Sequence, residues 1–229
     1  MMGAAKFPVH IFDIDLTVVK KTTAQYFLIT ALRDKVIRFS QISRLPFDWI
    51  KYKLALPDID FIESTVKKLA GLKQSELARI SSLAFERSVK ADIFTGAEKL
   101  IREIQQKNEK IIFATSSLDI IIKPLELFFG IEGSLSSELE FSDGITTGNL
   151  VGNSLFGGKK KAAVKTWIEK NNLDPKTDIS FYSDSYTDLP LLEYCGNPVA
   201  VNPDSTLTKA AKKHGWEIIR FREVLGKSK

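Results

Sequence analysis

The chain holds one cysteine, Cys195, and two histidines, His10 and His214, in 229 residues. A lone cysteine closes no internal disulfide and gives no sign of an oxidising compartment. Cys195 is expected to be a small buried hydrophobe. His10 and His214 stand isolated, away from the ends of the strands, and are expected to be structural. The sequence also lacks a long apolar run. Its most apolar region, residues 111–131, is broken by Asp119, Lys123, Pro124 and Glu126, so nothing there spans a bilayer. The N-terminal Met1-Met2-Gly3-Ala4-Ala5-Lys6 leads straight into a strand, without the apolar stretch and small-residue cleavage site of a signal peptide. A cytoplasmic location is expected. Internal repeats and low-complexity tracts are absent.

What is present is ordinary for a globular protein: 44% hydrophobic, 10% aromatic and 27% charged residues. That excludes a disordered tail, a collagen-like rod and a disulfide scaffold. The length fits one large domain, or a core with a smaller insertion, and suffices to bury a core without a metal or crosslink. The net charge of +5 is local. Between Lys20 and Leu56 eight basic residues face only Asp34 and Asp48, which leaves the rest of the chain close to neutral.

Hydrophobic periodicity divides the chain. Val9-His10-Ile11-Phe12 is a short β-branched run ending in acids, the pattern of a buried strand. From about residue 22 to 89, apolar residues recur at helical spacing: Tyr26, Ile29, Leu32; Phe61, Val66, Leu69; and Leu77, Ile80, Leu83, Ala84. Pro46, Pro57 and Gly71 punctuate them, predicting about four helices and no strand. Beyond residue 92 helices and strands alternate. Helices are expected over 97–107, 118–129, 160–171, 187–194 and 205–213. Strands are expected over 110–114, 178–182, 198–201 and 217–219, with a hairpin over 139–151 turning at Ser142-Asp143-Gly144. This pattern specifies an α/β fold: a Rossmann-like parallel sheet covered on both faces, interrupted after its first strand by an all-helical insertion and carrying a small β-hairpin. The expected division is a core of residues 1–19 and 91–229 and an insertion of residues 20–90.

In open α/β sheets ligands bind beyond the carboxyl ends of the strands, and the residues there are informative. Asp13 and Asp15, two apart on the first strand, are expected to project together. Asp184 ends a later strand, and Asp188 follows on the first turn of a helix. Carboxylates this close repel, and a divalent cation relieves the repulsion. With no histidine or cysteine among them they suit a hard, oxygen-loving ion, with Mg2+ the natural candidate. The strand over 110–114 ends in Thr115-Ser116-Ser117 and then starts a helix, and a hydroxyl beside the free N–H groups of a helix N-terminus is a ready anion site. Gly157-Gly158-Lys159-Lys160-Lys161 opens another helix, where an ammonium offsets phosphate charge. Each feature alone has a plainer reading: Asp184, Ser185 or Ser117 as helix caps, the lysines as a solvated helix start. Their conjunction at four strand ends points to a magnesium–phosphate site.

These residues resemble the haloacid dehalogenase-like hydrolase superfamily, in its phosphoserine-phosphatase-like branch. The matching stretches are Phe12-Asp13-Ile14-Asp15-Leu16-Thr17, Ile112-Phe113-Ala114-Thr115-Ser116-Ser117, Lys160, and Tyr182-Ser183-Asp184-Ser185-Tyr186-Thr187-Asp188. Gly144-Ile145-Thr146-Thr147-Gly148 and Asn202-Pro203-Asp204-Ser205 support them. The resemblance implies hydrolysis of a small phosphate monoester, with Asp13 the nucleophile that becomes an aspartyl-phosphate and Asp15 the general acid, then base. It implies Mg2+ held by the Asp13 carboxylate, the Asp15 backbone carbonyl and Asp184, with Asp188 ordering a metal-bound water. Thr115, the Ser116 N–H and Lys160 would bind the phosphoryl oxygens. Lys160 is preferred to Lys159 and Lys161 because it lies four before Val164 and seven before Trp167, above the buried helix face.

Two departures from the family pattern stand out. Leu16 replaces the usual glycine after Asp15. Thr22, beside Lys20 and Lys21, replaces the glutamate that reads the substrate amine in phosphoserine phosphatases, so phosphoserine is not the expected substrate and these three residues are candidates for specificity. The inserted helices would form the cap that selects the leaving group. Its basic half contains Leu45-Pro46-Phe47-Asp48-Trp49-Ile50 and Tyr52, which would suit a substrate with extra negative charge or an apolar tail, or would simply pack the cap.

Rival readings fare worse. The Gly152–Lys161 region is not an NTP-binding loop, because Asn153 stands five before Gly158 and Lys160 stands where Ser or Thr would hold magnesium. A non-catalytic protein binding nucleic acid or another anionic ligand through the basic segment is the alternative from another class. That segment matches no nucleic-acid-binding signature, and no nucleic-acid partner is expected. A phosphotransferase would share the same core motifs. The sequence carries no signal for oligomeric state.

Overall fold

The computed structural model describes residues 9–37, 65–156 and 158–227. Six strands form one parallel sheet in the order β3-β2-β1-β6-β7-β8. They are β1 (Val9–Phe12), β2 (Lys110–Leu118), β3 (Ser134–Ser137), β6 (Ile179–Ser183), β7 (Asn197–Val201) and β8 (Glu217–Ile219). Strands β4 (Leu139–Ser142) and β5 (Ile145–Leu150) pair separately as an antiparallel hairpin. Its turn places Asp143 at φ 50° and Gly144 at φ 74°, the left-handed pair that a tight hairpin requires. The parallel, helix-covered sheet expected from the alternating pattern is the fold observed.

Strand alternation sorts the core. On one face Val9, Ile11, Ile112, Ala114, Ile179 and Phe181 pack with Val164 and Ile168 of α5 (Gly158–Lys170), with α6 (Leu189–Leu192) and with α7 (Ser205–His214). On the other, Phe12, Ile111, Phe113 and Tyr182 pack with Ile101 and Ile104 of α3 (Thr95–Gln106) and with Ile122, Leu125 and Phe129 of α4 (Asp119–Phe129). Cys195 is buried among the apolar residues of the first face, as its type led one to expect.

A third apolar cluster joins α1 (Thr23–Arg33) and α2 (Gln74–Ala84) to Leu118 and to Leu139 of the hairpin. A single π turn, Phe85–Val89, continues α2 toward the sheet. Two passes of chain connect the helices to the sheet and run antiparallel to each other. Val19 bridges Ile93, the Lys20 N–H donates to the Asp92 carbonyl at 2.9 Å, and the Phe94 N–H donates to the Val18 carbonyl at 3.0 Å. The hairpin is also stitched to the helical segment: the Gly71 and Gln74 N–H groups donate to Thr146 and Gly144 carbonyls, and the Thr146 N–H donates to the Leu72 carbonyl. Of the helices expected between 22 and 89, α1 and α2 lie among the described residues. The segment from Leu45 to Tyr52, with its aromatics, lies outside them.

Three expectations need correction. Strand β2 runs on through Thr115-Ser116-Ser117 to Leu118, four residues past its expected end, and α4 follows at Asp119, within one residue of the expected helix start. The cause is a bulge: between Ala114 and Leu118 the strand advances four residues while β3 advances two, from Leu135 to Ser137. The Ser137 hydroxyl, donating to the Ser116 carbonyl at 3.0 Å, holds that irregular stretch extended. The helix expected over 187–194 is a 3-10 turn, Tyr186–Asp188, followed by the four-residue α6, with Pro190 in its first turn. His10 is not isolated: its Nδ1 lies 2.9 Å from the Tyr182 hydroxyl and its Nε2 lies 2.8 Å from Glu109.

Candidate active site

Strand β1 is flanked by β2 on one side and β6 on the other, so the chain order reverses beside it and a crevice opens at its carboxyl end. Asp13 is the first residue beyond β1, tied in by its N–H donating to the Tyr182 carbonyl at 2.9 Å. Regular strand geometry stops there. Val18 and Val19 N–H groups both donate to the Ile14 carbonyl, and Leu16 adopts φ 64°. The two acids lie close enough for the Asp15 charge to act on Asp13, but their carboxylates have different hydrogen-bond partners.

Asp13 faces α5. The Lys160 Nζ donates to Asp13 Oδ1 at 2.8 Å and to Asp188 Oδ2 at 2.8 Å. Helical period brings Lys160 there, because Lys160, Val164 and Ile168 form the buried stripe of α5. Both Lys160 and Asp13 are only 6% exposed. Lys159, which reaches Asn153, and Lys161, whose ammonium lies over the Tyr194 ring, point elsewhere. The Ser183 hydroxyl also donates to Asp188 Oδ2 at 2.8 Å and accepts the Ser185 N–H, locking the turn that follows β6.

Asp184 lies on the other side of Asp13. The Thr17 hydroxyl sits 3.5 Å from Asp13 Oδ2 and 3.4 Å from Asp184 Oδ1. One hydroxyl proton at such distances satisfies neither carboxylate well. Burial first, then the charges of Asp13 and Asp188, push the Asp184 carboxyl up to about 8. Burial likewise raises Asp13 to about 7, against the pull of Lys160 and helped by Asp188 and Asp15. Lys160, although burial opposes its charge, is held protonated above the ordinary lysine range by Asp13 and Asp188.

This donor set fits a hard divalent cation. Among the described residues no three acidic, histidine or cysteine side chains form a ready cage. Asp13 and Asp184, however, converge on one weak donor with excess negative charge. One or two carboxylates, with several positions left to water and substrate phosphate, is how Mg2+ is commonly held. The Asp15 side chain is not available to such an ion. Its Oδ1 accepts the Thr23 N–H at 2.8 Å and its Oδ2 accepts the Ser117 hydroxyl at 3.1 Å. Burial raises the Asp15 carboxyl, while these Thr23 and Ser117 donors lower it.

Thr115 is fully buried, and its Oγ1 accepts the Ser117 N–H at 3.1 Å, which leaves its own proton to donate. Ser116 is fixed through its carbonyl by Ser137. Thr22 is the half-buried residue preceding α1 and makes no side-chain cap. Lys20 is exposed. Lys21, also exposed, lies 3.9 Å from Asp92 and over the ring of Tyr26, whose hydroxyl binds Asp92 at 2.5 Å. Lys21 is thus tied to the second linker rather than to the acidic crevice. Sequence reasoning missed Thr23 and the role of Ser183. Thr23 hides as the second of two threonines at a helix start, and Ser183 as the last residue of a strand.

Comparison with known proteins gives the family. The model of the haloacid dehalogenase-like hydrolase family matches residues 11–193. The chain is 30% identical over 220 residues to a histidinol-phosphatase of Neisseria meningitidis serogroup C (strain 8013), covering 93% of this chain and 98% of that protein. It is 28% identical over 216 residues to phosphoserine phosphatase SerB1 of Mycobacterium tuberculosis (strain ATCC 25618 / H37Rv), covering 92% of this chain and 70% of the relative. Among solved structures, a protein of unknown function from Bordetella pertussis Tohama I superposes with a TM-score of 0.85 at 23% identity, over 94% and 99% of the two chains. A substrate-bound phosphoserine phosphatase superposes with a TM-score of 0.70 at 17% identity, over 96% of each. The family match runs from the strand that leads to Asp13 to the residue after α6, past Lys160, Asp184 and Asp188, and the chain belongs to the haloacid dehalogenase-like hydrolase family.

Proposed function

We propose that the protein is a Mg2+-dependent phosphatase of a small phosphate monoester, working through an aspartyl-phosphate on Asp13. The observation that carries this reading is the buried Asp13 carboxylate at the crevice, gripped by Lys160 on one side and crowded by Asp184 on the other. An Asp13 oxygen attacks phosphorus, the ester P–O bond breaks, and Asp15 gives its proton to the departing oxygen. Water then attacks the phosphorus of the aspartyl-phosphate, passes a proton to Asp15 and frees phosphate and Asp13. Lys160, the Thr115 hydroxyl and the Ser116 N–H would hold the phosphoryl oxygens, since positioning and charge stabilisation supply most of the catalysis in such transfers. Held by Asp13, Asp184 and the Asp15 carbonyl, with Asp188 ordering one of its waters, Mg2+ would supply the positive charge that lets a phosphate approach a carboxylate.

In this reading residues 20–90 are the cap that selects the leaving group, and residues 1–19 and 91–229 are the catalytic core. The paired linkers at Val19 and Ile93 support that division. Phosphoserine is disfavoured as substrate because Thr22 offers no carboxylate to read its amine. The histidinol-phosphatase is a relative that this chain spans nearly whole, which makes L-histidinol phosphate the first ester to offer.

The test is phosphate release from L-histidinol phosphate, L-phosphoserine and p-nitrophenyl phosphate, with and without Mg2+, by the wild type and Asp13→Asn. Mg2+-dependent turnover that disappears in the folded variant is the expected result. Turnover that survives in Asp13→Asn, or no turnover together with no beryllium fluoride captured on Asp13, would overturn the proposal.

A further inference from the structure

The start of α1, eight residues on, and the bulge of β2, about a hundred residues on, meet at Asp15. The Thr23 N–H reaches Oδ1 from the first residue of α1, and the Ser117 hydroxyl reaches Oδ2 from the bulge of β2. The Thr23 and Ser117 hydroxyl oxygens are 2.7 Å apart. Ser117 has one proton and gives it to Asp15, so the Thr23 hydroxyl donates to Ser117. Thr22, where a capping side chain would stand, caps nothing. Asp15 takes its place from outside the helix, accepting the first free N–H of α1.

We infer that Thr23 and Ser117 are positioning residues that hold the Asp15 carboxyl in the orientation from which it protonates the leaving oxygen, an inference that rests on the phosphatase reading above. Oδ1 is held as an acceptor by a backbone N–H and Oδ2 by the Ser117 hydroxyl, so the transferable proton takes the remaining lone pair of Oδ2, on the side that Ser117 does not occupy. A carboxyl with one oxygen pinned to a helix end and the other to a strand loses its rotational freedom before the reaction begins, which is what oriented proton transfer requires. Thr23 lies on the helical segment and Ser117 on the sheet. The acid is therefore aimed only while the start of α1 sits at the carboxyl end of β2.

The experiment uses two esters of nearly one shape, p-nitrophenyl phosphate and phenyl phosphate. Phenolate is the poorer leaving group and depends more on an aimed acid. The ratio of their kcat/KM values reports that dependence, and any loss of folded enzyme cancels in it. Ser117→Ala removes one donor. Thr23→Pro removes the N–H at a position that accepts proline, because it opens α1 and Thr22 before it, at φ −73° and ψ 135°, already has the backbone that precedes proline. Thr23→Ser and Ser117→Thr keep every donor.

The ratio favouring p-nitrophenyl phosphate is expected to rise about tenfold or more in Ser117→Ala and Thr23→Pro, part of the range that general acids contribute. It should stay within about twofold of the wild type in the two conservative variants. Parallel loss on both esters, or an unchanged ratio, would overturn the inference while a dead Asp13→Asn leaves the phosphatase reading standing. A wild type that turns over neither ester and captures no beryllium fluoride overturns both.

Discussion

The Lys160 ammonium meets the Asp13 carboxylate at 2.8 Å with both side chains buried, and the same ammonium reaches Asp188 at the same distance. One buried cation therefore bridges two carboxylates and offsets their repulsion. Removing it should be costly in a way that removing its neighbours is not. Lys160→Ala is expected to lower stability by about 3–5 kcal/mol, the cost of leaving buried charge uncompensated. Lys159→Ala and Lys161→Ala should stay within about 0.5 kcal/mol of the wild type. Urea denaturation of the three variants checks this, and equal losses would contradict the buried position of Lys160.

The carboxyls at this site link stability to pH and to metal. Asp184, at about 8, and Asp13, at about 7, hold their protons far more tightly than the ordinary aspartate value of 3.8 allows in the unfolded chain. Groups raised in this way favour the folded state fully below the unfolded value and lose that contribution as pH rises through the folded one. In EDTA the melting temperature of the wild type, relative to Asp184→Asn, is therefore expected to fall as the pH is taken from about 5 to about 8. Saturating Mg2+ should restore it at the upper end for the wild type and do little for the variant. A flat difference between the two proteins would count against the charge crowding described.

Leu16 carries a backbone conformation that suits glycine. At φ 64° its Cβ crowds the neighbouring carbonyl at a cost of about 1–2 kcal/mol, and its side chain is 43% exposed, so little packing repays the strain. Leu16→Gly is expected to stabilise the protein by up to about 1 kcal/mol after the extra entropy of glycine is offset. Leu16→Ala should bring no such gain, because its Cβ meets the same carbonyl. Chemical denaturation of the pair separates the two outcomes.

Gly148 marks the contact between hairpin and helical segment. It adopts φ 79°, and a Cβ there would come within 2.8 Å of the Ala70 side chain and 3.3 Å of the Lys67 backbone. Gly148→Ala should cost about 1–3 kcal/mol. It should also speed hydrogen exchange at the Gly71, Gln74 and Thr146 amides, which hold the hairpin to the segment between Val66 and α2. Unchanged protection of those three amides would show that the hairpin is not held by this approach.

The sequence by itself determined the architecture, because a parallel sheet buried on both faces writes itself as short β-branched runs between amphipathic helices. Phe12 and Phe113 on one face and Ile11 and Ala114 on the other follow from a period of two. Spacing along α5 likewise put Lys160 rather than its neighbours on the buried stripe, since a helical period reads directly from one segment. What tertiary structure alone decided is everything that depends on two segments meeting. Extending β1 by its own period aims Asp13 and Asp15 together. The different partners they take there, Lys160 for Asp13 and Thr23 with Ser117 for Asp15, come from segments that no local period names. The bulge that keeps Thr115 to Ser117 extended comes from pairing with β3, and no local propensity announces it. Thr23 is invisible for the same reason: its backbone N–H, common to every residue but proline, matters only because a carboxylate eight residues earlier folds back to receive it.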